Sequence, residues 1–194
     1  IVLNGYLFLN IVIGWMTLSS DRKGVKPPDW LRPLIYLSIP WAFSIHTVTA
    51  FLYAGLPGRH FWLSAIMAAR FLASAFAGGP ALLIILALIV RKLTKFDPGK
   101  EPIQAVGKIV TYAMIANVFF LGLEFFTAFY SQIPGHMHSF IYLYTGIEGH
   151  GKLVPLMWIS TIFAVLSLVL LLFPSLRKKE GILALACVTL FISL

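Results

Sequence analysis

The chain has 194 residues, 59% of them hydrophobic and 11% charged, with a mean hydropathy of +0.90, more apolar surface than a soluble domain of this size can hide, so lipid must solvate much of it. A formal charge of +8 is scattered in short patches between apolar runs, a pattern that excludes a nucleic-acid-binding domain and matches the topology signals of a membrane protein. One cysteine, Cys187, and no CxxC or CxxCH pattern leave this chain without a ligand set for an iron–sulfur cluster, c-type haem or structural zinc.

Six apolar segments follow one another, and they predict an all-α, polytopic transmembrane helical bundle. The first runs from Ile1 to Ser19 and ends at the polar stretch Ser20–Asp29; the second runs from Trp30 to Tyr53 and is closed by Gly55, Pro57 and Gly58. The third, Phe61 to Val90, is long for one span and carries Gly78-Gly79-Pro80, which predicts a kink or a broken helix. A polar loop, Arg91–Pro102, leads to the fourth segment, Ile103 to Tyr130. A longer connection, Ser131–Lys152, precedes the fifth segment, Leu153 to Phe173, which Pro174 ends. The sixth, Gly181 to Leu194, is shorter than the ~20 residues a helical span needs. Because the chain begins and ends inside apolar runs, residues 1–194 read as one transmembrane domain, truncated at both ends, of a longer polytopic protein.

Lysine and arginine alternate between connections. Arg22, Lys23, Lys26 and Arg32 flank the first; Arg91, Lys92, Lys95 and Lys100 the third; Arg177, Lys178 and Lys179 the fifth. The second and fourth hold Arg59 and Lys152 alone. The positive-inside rule places the loops near 20–32, 91–102 and 175–180 in the cytoplasm, and those near 55–60 and 131–152 in the periplasm or exterior, around a cytoplasmic (inner) membrane.

With the loops placed, depth can be counted. His46 lies nine residues before Gly55, and Arg70 nine after Phe61, so each sits ~14 Å inside the outer boundary. Glu124, six residues before Tyr130, sits ~9 Å deep. Ionisable groups inside a span are costly and by default mark function. Neighbours extend each into a polar face: Thr49 and Tyr53 beside His46, Ser74 one turn from Arg70, and Asn117, Thr127 and Ser131 along the helix of Glu124. Three uses remain open: a structural Arg70–Glu124 ion pair, a pocket for a quinone headgroup, and proton conduction along the Asn117–Ser131 stripe. A quinone needs hydrogen-bond partners for two carbonyls and a group that exchanges protons near neutrality, and it enters sideways from lipid.

Glu148, His150 and Lys152, just before the fifth segment, fit a proton outlet, a docking surface for a partner, or simple helix-start polarity. Trp62 and Tyr130 are placed to flank a quinone ring, and otherwise read as interfacial aromatics like Tyr142, Tyr144 and Trp158. His136 and His138 read as solvated loop histidines, and Met67 and Met114 as packing.

The stretch IPWAFSIHTVTAFLYAGLPGRHFWLSAIMAARFLASAFAGGPALL, continued by LEFFTAFYSQIPGHMHSFIYLYTGIEGH and LVPLMW, resembles the NrfD/PsrC family of membrane quinone-interacting subunits, most closely its DsrP branch. The resemblance implies about eight to ten helices for the whole protein, a subunit without haem or other metal that exchanges electrons between menaquinone and a periplasmic ferredoxin-like iron–sulfur subunit, in a complex with other membrane and cytochrome subunits of sulfur metabolism. His46, Arg70 and Glu124 map onto the region of the family's quinone pocket and proton path. Two other functions compete: a haem-b membrane anchor, for which His46 alone lies well inside a span, and an ion or proton transporter without redox function.

Overall fold

The computed structural model describes residues 1–56, 58–59, 62–147 and 149–194. Their elements are helices: α1 (Val2–Arg22), α2 (Leu31–Ala54), α3 (Met67–Leu93), α4 (Lys100–Tyr130), α5 (Pro134–Thr145), α6 (Val154–Leu172), α7 (Pro174–Arg177) and α8 (Glu180–Ser193). Five of them, α1, α2, α3, α4 and α6, are long and apolar enough to cross a membrane; α8 is apolar but shorter. The expected all-α bundle is what forms, and the chain is an integral membrane protein.

Its centre is built from α3, α4, α6 and α8, with α3 packed along α4 and α8 packed on α6 and α3. Ala77, Ala81 and Ile84 of α3, Val110 and Met114 of α4, Leu171 of α6, and Leu183 and Cys187 of α8 form one buried cluster. Between helices in lipid the apolar driving force is weak, so close approach of small residues does the packing. Gly107 supplies one such approach: a Cβ there would lie 3.3 Å from a Leu183 methyl.

Gly78-Gly79-Pro80 does not break α3, which runs as one helix from Met67 to Leu93. Pro80 deletes one backbone donor, while the small side chains before it lie against α8, where a Cβ on Gly78 would come within 3.0 Å of Leu194. The third segment differs from expectation at its start instead. Residues 62–66 form turns in which Ser64 N–H donates to Trp62 O at 2.9 Å, and helix begins at Met67.

The long fourth connection also holds structure. Pro134 opens α5 with the φ a first helical turn needs, and Gly146 closes it at φ +79°, a conformation that favours glycine. Aromatic rings fasten α5 to its neighbours: Phe140 meets Phe125 of α4 at 4.2 Å, and Tyr144 meets Trp158 of α6 edge-on at 5.4 Å. At the other end of the bundle Arg177 ties three helices, donating to Thr111 Oγ1 at 3.0 Å and to the Leu171 carbonyl at 3.2 Å.

α1 and α2 sit outside this centre. α2 packs on α3, and α1 on α2, where Trp41 donates its indole N–H to the Val2 carbonyl at 2.9 Å. Ser20 is the buried residue of α1 and Leu31 and Ala50 are those of α2, so most of both helices is exposed.

Candidate functional site

Arg70 and Glu124 lie on the facing sides of α3 and α4, and the guanidinium Nη1 pairs with carboxylate Oε2. Glu124 is 8% exposed and Arg70 27%. Each ion alone would be prohibitive inside an apolar bundle; paired, they offset much of each other's desolvation. The pair is incomplete. Among the described residues Glu124 Oε1 is buried with no hydrogen-bond partner. A buried carboxylate oxygen left this way costs free energy, so it marks a place where water or a transferred proton is accommodated.

The two members of the pair open into two different cavities. Arg70 lines a recess of about 390 Å³, together with Ser74 of α3, Asn117 of α4, Ser160 and Thr161 of α6 and Trp62 of the 62–66 turns. Its polar walls are held in place: Ser160 Oγ donates to the Ser193 carbonyl at 2.8 Å, and Thr161 Oγ1 lies 3.0 Å from the Tyr144 hydroxyl. Asn117 makes no side-chain hydrogen bond among the described residues, so its carboxamide is free to serve a guest. Met67, Phe71, Val118, Leu121 and Met157 supply the apolar remainder.

Glu124 lines a second cavity of about 230 Å³ with Thr127, Ser64, Ile133, Phe140 and His136. A wider groove of about 850 Å³ runs between Gly58, Arg59 and Trp62 on one side and α5 on the other, where His138, Ser139 and Tyr142 line it. Trp62 belongs to both this groove and the Arg70 recess, and the Arg59 guanidinium sits 4.9 Å above its ring.

Of the residues singled out from the sequence, Trp62, Arg70, Ser74 and Asn117 meet in one recess, with Glu124 and Thr127 next door. The Asn117–Ser131 stripe is thereby divided between two cavities, and Ser131 caps α4 at the surface. The Tyr53 ring meets Trp62 at a tilt of 54°, centroids 4.9 Å apart, and thus supports the recess from behind, while half-buried Thr49 lines none of these cavities. Tyr130 is 77% exposed and lies flat against Phe126.

His46 stands apart. It lines a shallow cavity of about 300 Å³ with Tyr6, Ser38, Phe43, Leu72 and Phe76, on the α2 side of α3. The structure therefore does not bring His46 to the Arg70 pair, although both lie at similar depth. His150 lies in the loop before α6, where its backbone bridges to Ile147; Glu148 lies outside the described residues. Three residues went unrecognised in the sequence. Ser160 and Thr161 looked like ordinary small polar residues of an apolar span, and His136 looked solvated because the helix that carries it was not foreseen.

Comparison with known proteins adds the family. The model of the family described as "Polysulphide reductase, NrfD" matches residues 6–194. A curated relative from Halobacterium salinarum, provisionally named as a membrane subunit of dimethyl sulfoxide reductase, is 25% identical over 210 aligned positions. The alignment covers 94% of this chain and 45% of that protein, so the chain spans about half the length of this relative.

Proposed function

The chain belongs to the NrfD polysulphide reductase family, and from that premise we propose that it is the membrane subunit of a reductase-type redox complex, with a quinone headgroup binding in the Arg70–Asn117 recess. The observation that carries this reading is the recess itself: a partly open space among membrane-spanning helices, walled by both apolar and polar side chains, with the Arg70 guanidinium and the Asn117 carboxamide on its lining. Its volume lies within the roughly 300–1,000 Å³ usual for small-molecule sites. The Asn117 carboxamide N–H offers a hydrogen bond to one quinone oxygen and the free N–H groups of Arg70 to the other, while Thr161, whose hydroxyl donates to Met157 O at 2.9 Å, accepts from the O–H of the reduced quinol. The Arg70–Glu124 pair lies beside them to exchange protons. Trp62, Phe71 and Leu121 contact the ring faces, and the tail leaves toward lipid.

The quinone is menaquinone in this proposal, and electrons pass to or from an iron–sulfur subunit seated over α5, the end that the positive-inside count assigns to the side opposite the cytoplasm. Other membrane and cytochrome subunits complete the assembly. Within the family we place the chain nearest the DsrP branch, on the stretch from Ile39 to Leu83, which puts its work in sulfur metabolism. A second reading, ion or proton conduction without redox chemistry, draws on the same pair joining two cavities; it requires transport to persist after quinone is extracted.

The test is quinol-dependent reduction of the partner's clusters in the full-length complex. Asn117→Leu and Thr161→Val each remove one hydrogen bond to the headgroup and raise the KM for quinol by about tenfold, as the loss of one such bond implies. An unchanged KM in both variants contradicts the site.

A further inference from the structure

We propose that His136 is the proton-exit residue of this site, taking protons from Glu124 Oε1 and passing them to water at the α5 end of the bundle. The inference rests on the quinone reading above and adds a route that the recess alone does not provide.

Four observations carry it. Glu124 is more than nine-tenths buried, and its Oε2 is engaged by Arg70 while Oε1 has no partner among the described residues. The cavity beside Glu124 holds His136 and the hydroxyl-bearing Ser64 and Thr127. At about 230 Å³ it has room for several waters at roughly 30 Å³ each, so the carboxylate and the imidazole need not touch to exchange a proton. Finally, α5 holds His136 in place: its backbone N–H donates to Ile133 O at 3.1 Å in the first turn, and Phe140 one turn on is packed against Phe125.

Among the described residues, the titratable and charged groups around this cavity are few. α4 presents Glu124, α5 presents His136, α3 presents Arg70 through the ion pair, and residues 63–66 present Ser64 with no ionisable side chain. Arg70 holds one carboxylate oxygen, so the proton is directed to the other. Imidazole is the side chain that gains and loses a proton near neutrality without help.

Each transfer balances. A quinol O–H bond breaks, its electron passes to the partner's iron–sulfur cluster, and its proton, relayed by water past Arg70 out of the recess, forms an O–H bond on Glu124 Oε1. That O–H bond then breaks as an imidazole nitrogen of His136 takes the proton, directly or through cavity water. The imidazolium releases the proton to a water or buffer base outside, and carboxylate and neutral imidazole are restored. Two such cycles clear one quinol, and quinone reduction runs the sequence backwards.

The experiment uses the full-length subunit in its native complex in membrane vesicles. His136→Ala lowers the maximal rate of quinol oxidation by about a hundredfold, the low end for positioned proton transfer, with KM for quinol unchanged. Imidazole added to the medium restores a large part of the lost rate, which a packing role cannot explain. His136→Gln, closer in size, keeps assembly and shows the same rate loss and rescue. An unchanged rate overturns the proposal, as does a rate loss that imidazole fails to restore in both variants. These outcomes separate the two claims: if Asn117→Leu raises KM while His136→Ala does nothing, the quinone site stands and the exit route falls. If neither variant affects quinol oxidation, both fall.

Discussion

The two flanks of α3 handle polar residues in opposite ways. Toward α4, α6 and α8 the helix presents Arg70 and Ser74, one turn apart, and its neighbours answer with Glu124, Asn117, Ser160 and Thr161. Toward α2 it presents Leu72, Ala75 and Phe76, and its neighbours answer with one imidazole, His46, and the Ser38 hydroxyl, in a shallow recess that is otherwise apolar apart from Tyr6. Counted from the loops, the two flanks lie at similar depth. What separates them is azimuth around α3 and the presence of partners: a polar side chain in lipid becomes part of a site when helices on the same side supply others.

The largest effect is expected from breaking the pair on one side. Glu124→Leu leaves the Arg70 charge uncompensated and lowers stability by about 3–5 kcal/mol, readable as a fall in the denaturant midpoint of the purified subunit in bicelles. Combining it with Arg70→Met removes the orphan and recovers most of that loss, since an apolar pair of similar volume is often neutral. Quinol oxidation stays abolished in the double variant if the pair has a role in proton exchange; recovered turnover in a refolded double variant assigns the pair to packing alone.

On the other flank the effect is small. His46→Ala is expected to change quinol oxidation by less than about threefold, because the imidazole shares no cavity with the pair. A loss comparable with that of Asn117→Leu merges the two flanks into one site and breaks the contrast.

A milder prediction concerns the opposite end of the bundle, where Arg91 donates to Glu180 at 3.2 and 2.5 Å. The hydrogen-bonded Arg91 guanidinium holds the Glu180 carboxyl below its usual range. A carboxylate lowered in the folded state stabilises fully above its unfolded value of about 4.3, and that contribution fades as pH falls through the lowered value. Unfolding midpoints should therefore fall more steeply with acid in the parent than in Glu180→Gln below about pH 4.3 and run parallel above it. Parallel curves throughout show that the Arg91 contact does not perturb Glu180.

Smallest in energy, and useful as a control, is Cys187. It is fully buried in the α6–α8 packing, so a thiol reagent should label it only after unfolding. Rapid labelling in the folded subunit contradicts the packing of α8 on the centre.

The segments were legible in the sequence because long apolar runs and basic connections are dictated by the bilayer itself. The Arg70–Glu124 pair was legible too, since depth counting puts both at the same end and lipid leaves them few alternatives. His46 illustrates the limit of that method. Counting residues from a loop gives height, and without the packing of α2 against α3 it gives no direction around the bundle. Ser160 and Thr161 carry no sequence signal, because small hydroxyl residues in a span most often bond their own backbone, as Thr161 does to Met157 O at 2.9 Å. His136 was hidden by α5. A short helix between two spans has weak periodicity, and it is the ring contacts of Phe140 and Tyr144, formed across helices, that bring the imidazole to the Glu124 cavity. Gly-Gly-Pro misled in the other direction: it reads as a breaker locally, yet close packing against α8 keeps α3 whole.

The central claim, a quinone headgroup in the Arg70–Asn117 recess, is tested most directly by photo-crosslinking. An azido-naphthoquinone is irradiated with the full-length complex, and the labelled peptides are mapped with and without excess menaquinone. The account predicts menaquinone-competed label on the recess-lining parts of α3, α4 and α6, around Ser74, Asn117 and Thr161. Competed label confined to the His46 side of α2, with those three positions clean, contradicts it.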